Sequence, residues 1–173
     1  MSSENKTQVQ TPEANSAEGQ AARLESVNAQ VASLLRRPEV AQRLRAAGPD
    51  EWSAVQIVGH LTELIPYWMR DAHLMAAATG QPPKFGRTLD APERLEAVER
   101  GATSDPDELL RLLDREVRSA AAGIRGMSAA ERAKTGIHSR QGEITVADAI
   151  RVLIVEHAEA HVNQLKQVLG VSA

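Results

Sequence analysis

The chain has no cysteine and only four aromatic residues with large rings, Trp52, Tyr67, Trp68 and Phe85. Without cysteine there is no disulfide scaffold, no thiolate-ligated zinc or iron–sulfur centre and no cysteine nucleophile, so any metal must be held by His, Asp or Glu. No apolar run approaches the roughly 20 residues that a membrane-spanning helix needs, and a soluble chain is expected. Neither sign of charge dominates. Twenty Lys+Arg against twenty-three Asp+Glu give a formal charge of −3, scattered along the sequence, and this leaves no basic footprint for nucleic acid.

A length of 173 residues suits one domain. Residues 1–19 are polar and lack a basic start followed by an apolar stretch, so they read as a disordered leader rather than a secretory signal, and the location expected is cytoplasmic. The domain then spans residues 20–171. Its helix formers Ala, Leu, Glu and Arg are abundant, and no alternating strand pattern stands out, which places it in the all-α class.

Leu24, Val27, Val31, Leu34 and Leu35 step by three and four and predict a first helix from about Glu18 to Arg37, stopped by Pro38. A short helix over Glu39–Ala47 follows. Ser53 and Gln56 form a capping box, with Trp52 stapled toward Ile57, and start a second helix that runs to about Ala78. Pro66 inside it predicts a kink near Thr62. Gly80 to Asp90 reads as the longest loop, followed by one turn around Glu93 to Arg100. Asp105, Pro106 and Glu108 open a third long helix that ends near Gly126. Thr145 and Asp148 cap the last, which Gly170 closes. Four long helices fit a four-helix bundle whose middle connection is long enough to cross it.

The last helix carries the sharpest chemical signal. Val146, Ile150, Leu153, His157, His161, Gln164 and Val168 follow one helical face, so two imidazoles at i, i+4 and an amide occupy places where a bundle normally puts leucine. On the second helix His60 lies at the edge of the stripe formed by Ile57, Leu61, Leu64 and Trp68, on the flank of Leu64, Tyr67 and Asp71. His60 is seven residues past its cap, about 10 Å, and His161 is nine residues before Gly170, about 14 Å. Antiparallel packing of these two helices sets all three histidines at similar height, and parallel packing does not. His73 falls beyond Pro66 and reads as a surface residue, while His138 lies in a connector. Position 158 is Ala, so the zincin motif His-Glu-x-x-His is absent, and there is no phosphate loop, dinucleotide fingerprint or serine elbow.

Trp52-Ser53, then Val58-Gly59-His60-Leu61, then Gly142-Glu143-Ile144-Thr145-Val146, then His157 to Leu165 with His161 and Gln164 inside it, resemble the DinB/YfiT-like superfamily of metalloenzymes over about residues 20–170. The resemblance implies a four-helix bundle with up-down-down-up connectivity, a divalent metal held by His60, His157 and His161, and a homodimer. It also implies a thiol-dependent reaction, because characterised relatives use low-molecular-weight thiols such as bacillithiol or mycothiol. A cysteine-free chain must then receive its thiol as a cosubstrate, for attack on a small electrophile in detoxification or stress response. The alternative is a non-catalytic metal-binding stress-response protein. Zinc is the leading metal; His and water ligands also suit nickel and iron, and manganese stays open. Glu63, one turn after His60, is a candidate orienter or proton acceptor, or a solvated glutamate. Gln164 can hydrogen-bond a ligand or cap the polar pocket. Tyr67 and Arg87 are substrate-binding candidates, Arg87 for an anion, although a surface role suits it too.

Overall fold

The computed structural model describes residues 12–171. Residues 1–11 of the expected leader lie outside the described residues. The chain enters the fold before residue 20, because Pro12–Asn15 forms a 3₁₀ turn and Ser16, accepting a bond from the Gly19 amide, caps helix α1 (Ala17–Leu35). Helix α2 spans Ala54–Ala77, α3 Pro92–Thr103, α4 Pro106–Gly126 and α5 Ala129–Ala133. The last long helix has three contiguous parts: α6 (Val146–Ala149), a π-helical segment (Ile150–Glu156) and α7 (His157–Leu169).

Side-chain bonds between helices fix their directions. Gln20 near the start of α1 donates to the Ala147 carbonyl, and Arg43, just beyond α1, donates to Leu169, so the first and last helices run parallel. Arg125 near the end of α4 pairs with Glu18 at the start of α1, and Asn28 bonds Asp114, so α4 runs against α1. His60 in the first half of α2 meets His161 in the last helix, while Lys134, leading into β2, donates to the carbonyls of Ala76 and Ala78 at the end of α2. Helix α2 is therefore antiparallel to the last helix, and the order is up-down-down-up. Between the helices lies an aliphatic core that includes Leu24, Val31, Ile57, Leu61, Leu113, Val117, Ile154 and Leu165.

The capping box on Ser53 forms and α2 carries Pro66 inside it to Ala77, both as expected. Other local expectations change. The predicted Glu39–Ala47 helix is a 3₁₀ segment, Pro38–Arg43. The single turn at Glu93–Arg100 is a full helix, α3, with Pro92 in its first turn. A small sheet also appears where none was expected. β1 (Lys84–Phe85) pairs in parallel with β2 (Thr135–His138), which pairs antiparallel with β3 (Gly142–Thr145). Strands of two to four residues carry too few side chains to show alternation in the sequence, and β1 and β2 are brought together by the packing of distant segments.

Helix α3 lies unusually close to α2. A Cβ on Gly59 would sit 2.6 Å from the Ala97 carbonyl oxygen, and one on Gly101 would sit 2.5 Å from that of Val55. The two glycines let backbone meet backbone, and Gly59 is the residue before His60. Replacing Gly101 by alanine should destabilise the fold by about 1–3 kcal/mol through overpacking. Gly80→Ala, whose Cβ meets nothing within 4 Å, should stay within about 0.5 kcal/mol of wild type in urea denaturation.

Candidate metal centre

The centre forms where α2 passes α7. The cap at Ser53 starts α2 so that His60 falls opposite the last helix, and Trp52, the residue before the cap, lays its ring 5.1 Å from that of His60 and 6.3 Å from that of His161. His60 is only 1% exposed, deeper than an edge position suggests.

The π segment explains how His157 and His161 reach it. In an α-helix a step of four residues overshoots a full turn by about 40°, so a stripe made of such steps drifts around the helix. The wider π turn reduces that drift. Val146, Ile150, Ile154, Ala158 and Val162 are consequently all buried. His157, His161 and Gln164 each precede a buried residue, Ala158, Val162 and Leu165, and are half-buried. The seven-residue face expected as core therefore splits: its upper part is core, and its lower part is a flank that turns the imidazoles toward α2.

Ring centroids of His60 lie 5.9 Å from His157 and 5.0 Å from His161, and the last two stack at 4.9 Å. One ring nitrogen from each residue falls within 4.8 Å of the others. Gln164 Oε1 lies 2.8 Å from His161 Nδ1. An amide oxygen only accepts, so Nδ1 carries the proton and the lone pair sits on Nε2, which is buried and has no hydrogen-bond partner. His60 Nδ1 is buried and unpartnered too. Burial, followed by the positive charge of its neighbours, pushes the His60 pKa down to about 2, and the same causes bring His157 to about 4. Burial also lowers His161. All three are neutral near pH 7, the form that presents a lone pair to a cation.

A small cleft of about 40 Å³ opens over His60 and His157, lined by Leu64, Trp68 and three arginines, Arg87, Arg94 and Arg140. Arg87 and Glu63 form a two-bond ion pair, and the Arg87 guanidinium lies 4.0 Å above the Tyr67 ring. Glu63 Oε2 stands 4.0 Å from His60 Nδ1, beyond hydrogen-bond range. Both oxygens of Glu63 are thus already engaged, which argues against a free proton acceptor, and the Arg87 charge is already matched. Tyr67 lines a neighbouring cavity with Asp71 and Phe85, and touches the wall of the cleft through Arg87 and Trp68 rather than lining it.

His73 is exposed, as expected. His138 is 2% exposed and packs on Phe85 and Trp68, and its Nδ1 accepts from the amides of Arg140 and Gln141. It braces the turn that carries Arg140. Trp52, Arg94 and Arg140 were not singled out as site residues from sequence. Arg94 and Arg140 lie far from the histidines in the chain, and no motif marks them.

Four buried or half-buried histidines, His60, His138, His157 and His161, have folded pKa values below their ordinary 6.5. The unfolded chain then binds more protons, so stability is full above pH 6.5 and falls as pH drops toward each folded value. His60 and His157 should each contribute a slope approaching 1.4 kcal/mol per pH unit well below pH 6.5. Urea titration of metal-free protein at pH 7.5, 6.0 and 5.0 checks this, and a midpoint independent of pH contradicts it.

The sequence profile of the DinB superfamily matches residues 23–165. YfiT from Bacillus subtilis, "a probable metal-dependent hydrolase with an unusual four-helix bundle topology", superposes with a TM-score of 0.71 at 23% identity, over 95% of this chain and 93% of its own. The mycothiol-dependent maleylpyruvate isomerase superposes with a TM-score of 0.66 at 15% identity, and this chain covers 62% of its length. No curated protein matches in sequence. At these identities the two structures show a shared fold, whereas the profile spans most of the sequence: the chain belongs to the DinB superfamily.

Proposed function

We propose that His60, His157 and His161 hold a divalent metal ion and that the chain is a metal-dependent enzyme, transferring a low-molecular-weight thiol to a small electrophile. The observation that carries this reading is the set of three neutral imidazoles converging under a cleft, two of them with buried nitrogens that no protein group satisfies. An unpaired buried polar atom costs about 1–3 kcal/mol, and a cation removes that cost. The donor set is nitrogen only, which suits zinc, nickel or iron. The descriptions of the two structural neighbours, one metal-dependent and one mycothiol-dependent, agree with it.

Three protein ligands leave at least one coordination position open, and an ion so held lowers the pKa of a water or thiol that binds it. The chain's own residues do the rest. Gln164 holds the His161 proton on Nδ1 and so aims Nε2 inward. Trp52 packs over His60 and His161 and shields them from solvent on that side. No carboxylate lines the cleft among the described residues, and nearby Glu63 is tied to Arg87. The cleft therefore offers no free carboxylate as a general base among the described residues, and a cation held by the three histidines would supply the acidification of the nucleophile. With no cysteine in the chain, the sulfur arrives with a cosubstrate.

Elemental analysis of protein purified without a histidine tag should find about one divalent ion per chain. His157→Ala and His161→Ala should each lower that to near zero while circular dichroism keeps the helical signal, and His73→Ala should change nothing. Thiol-dependent consumption of a model electrophile such as monochlorobimane should stop on chelation and return with zinc or nickel. Full metal loading without turnover by any common bacterial thiol would leave the binding reading and remove the transferase one.

A further inference from the structure

The cleft over the histidines has a charge imbalance that the metal and thiol do not explain. Three guanidinium groups line it, and among the described residues only Arg87 of the three has a carboxylate partner. Arg94 donates from Nη1 to the Leu89 carbonyl at 2.7 Å and lies 4.8 Å over the Trp52 ring, so a neutral acceptor and a π face hold it without cancelling its charge. Arg140 stands at the hairpin turn braced by His138, and no ion pair joins either residue to a carboxylate among the described residues. Both charges are felt inside the site: they, with Arg87, help to keep His157 unprotonated.

The fold takes trouble to bring these two residues together. Arg94 is in the first turn of α3, which the Gly59–Gly101 approach presses against α2. Arg140 comes from the β2–β3 turn, and β1, two residues before Arg87, is paired with β2. Three separate segments thus deliver one guanidinium each to a single small cleft. A divalent ion on three neutral imidazoles would add two further positive charges beside them. Arg94 is half-buried and Arg140 is exposed at the cleft mouth, so such a concentration of one sign attracts an anion from solvent, and guanidinium donors suit the oxygens of a carboxylate.

We infer that Arg94 and Arg140 form an anion subsite beside the histidine centre, and that the molecule acted on there is a small carboxylate. This rests on the proposed function for its role, since it identifies the electrophile or the thiol as the carrier of the negative charge. It differs from the sequence expectation in its residues: Arg87 is saturated by Glu63 and serves as part of the wall. At about 40 Å³ the cleft admits a carboxylate group and leaves the rest of a small molecule at its mouth.

The probe is succinate, with uncharged succinamide and inorganic phosphate as comparisons, titrated calorimetrically into metal-free and metal-loaded protein at low ionic strength, with tryptophan emission as a second readout because Trp52 lies under Arg94. Succinate should bind the metal-free protein and succinamide should not. Arg94→Gln and Arg140→Gln should each weaken succinate at least fivefold, Arg94→Lys should weaken it less, and Arg118→Gln, at an exposed position of α4, should match wild type. Circular dichroism and the urea midpoint identify any variant that has lost its fold, and the Arg140 variant stands as the second test if the Arg94 variant does. No succinate binding to either form overturns the inference, as does phosphate binding alone. Binding that needs metal and ignores both arginine substitutions also overturns it, because the carboxylate then ligates the ion directly. Loss of the metal reading shows separately, as protein that retains no ion yet still binds succinate through the two arginines.

Discussion

Three imidazoles packed against one another at the edge of an aliphatic core set the terms for this fold. Each is neutral because burial and neighbouring positive charge make protonation unfavourable, and two present nitrogens that nothing in the protein satisfies. A bundle that needed only stability would place leucine there. The expense is kept local. Aliphatic residues surround the cluster, Trp52 covers it from one side, and Gln164 fixes the one tautomer whose lone pair points inward.

The backbone is shaped around that cluster in three places. The π segment holds one buried line along the last helix while leaving His157 and His161 on the adjacent flank. The glycines at 59 and 101 bring α3 against α2 directly beside His60. His138, unrelated to the histidine cluster in position, spends its Nδ1 lone pair on two backbone amides and so stiffens the turn bearing Arg140. Helix register, helix spacing and hairpin rigidity all act on the same cleft.

Charge is arranged with equal economy. Glu63 and Arg87 neutralise one another beneath Tyr67, which removes the nearest carboxylate from acid–base duty and one arginine from ligand binding. What is left facing the cleft is positive, as the depressed pKa of His157 registers. A positively charged cleft over neutral imidazoles favours anionic nucleophiles and anionic substrates, and disfavours a protonated histidine acting as an acid.

The helices, their caps and the convergence of His60, His157 and His161 were legible in the sequence because they depend on local rules: the capping box at Ser53, the i, i+4 spacing of the pair, and depths counted from helix ends. The resemblance to DinB-type chains supplied the direction of packing, which local rules leave open. The sheet, the π segment and the partners of Glu63 were not legible. β1 and β2 come from segments about fifty residues apart, the π turn offsets the drift inherent in four-residue steps along an α-helix without any residue type marking it, and Arg87 finds Glu63 only when the long loop folds back over α2. Sequence by itself determined which imidazoles share a helical face and a height, since that follows from side-chain type and helical period. Only the tertiary structure decided which charges remain unmatched around them, because a charge is cancelled by whatever lies nearest in space, however far away it lies in the chain.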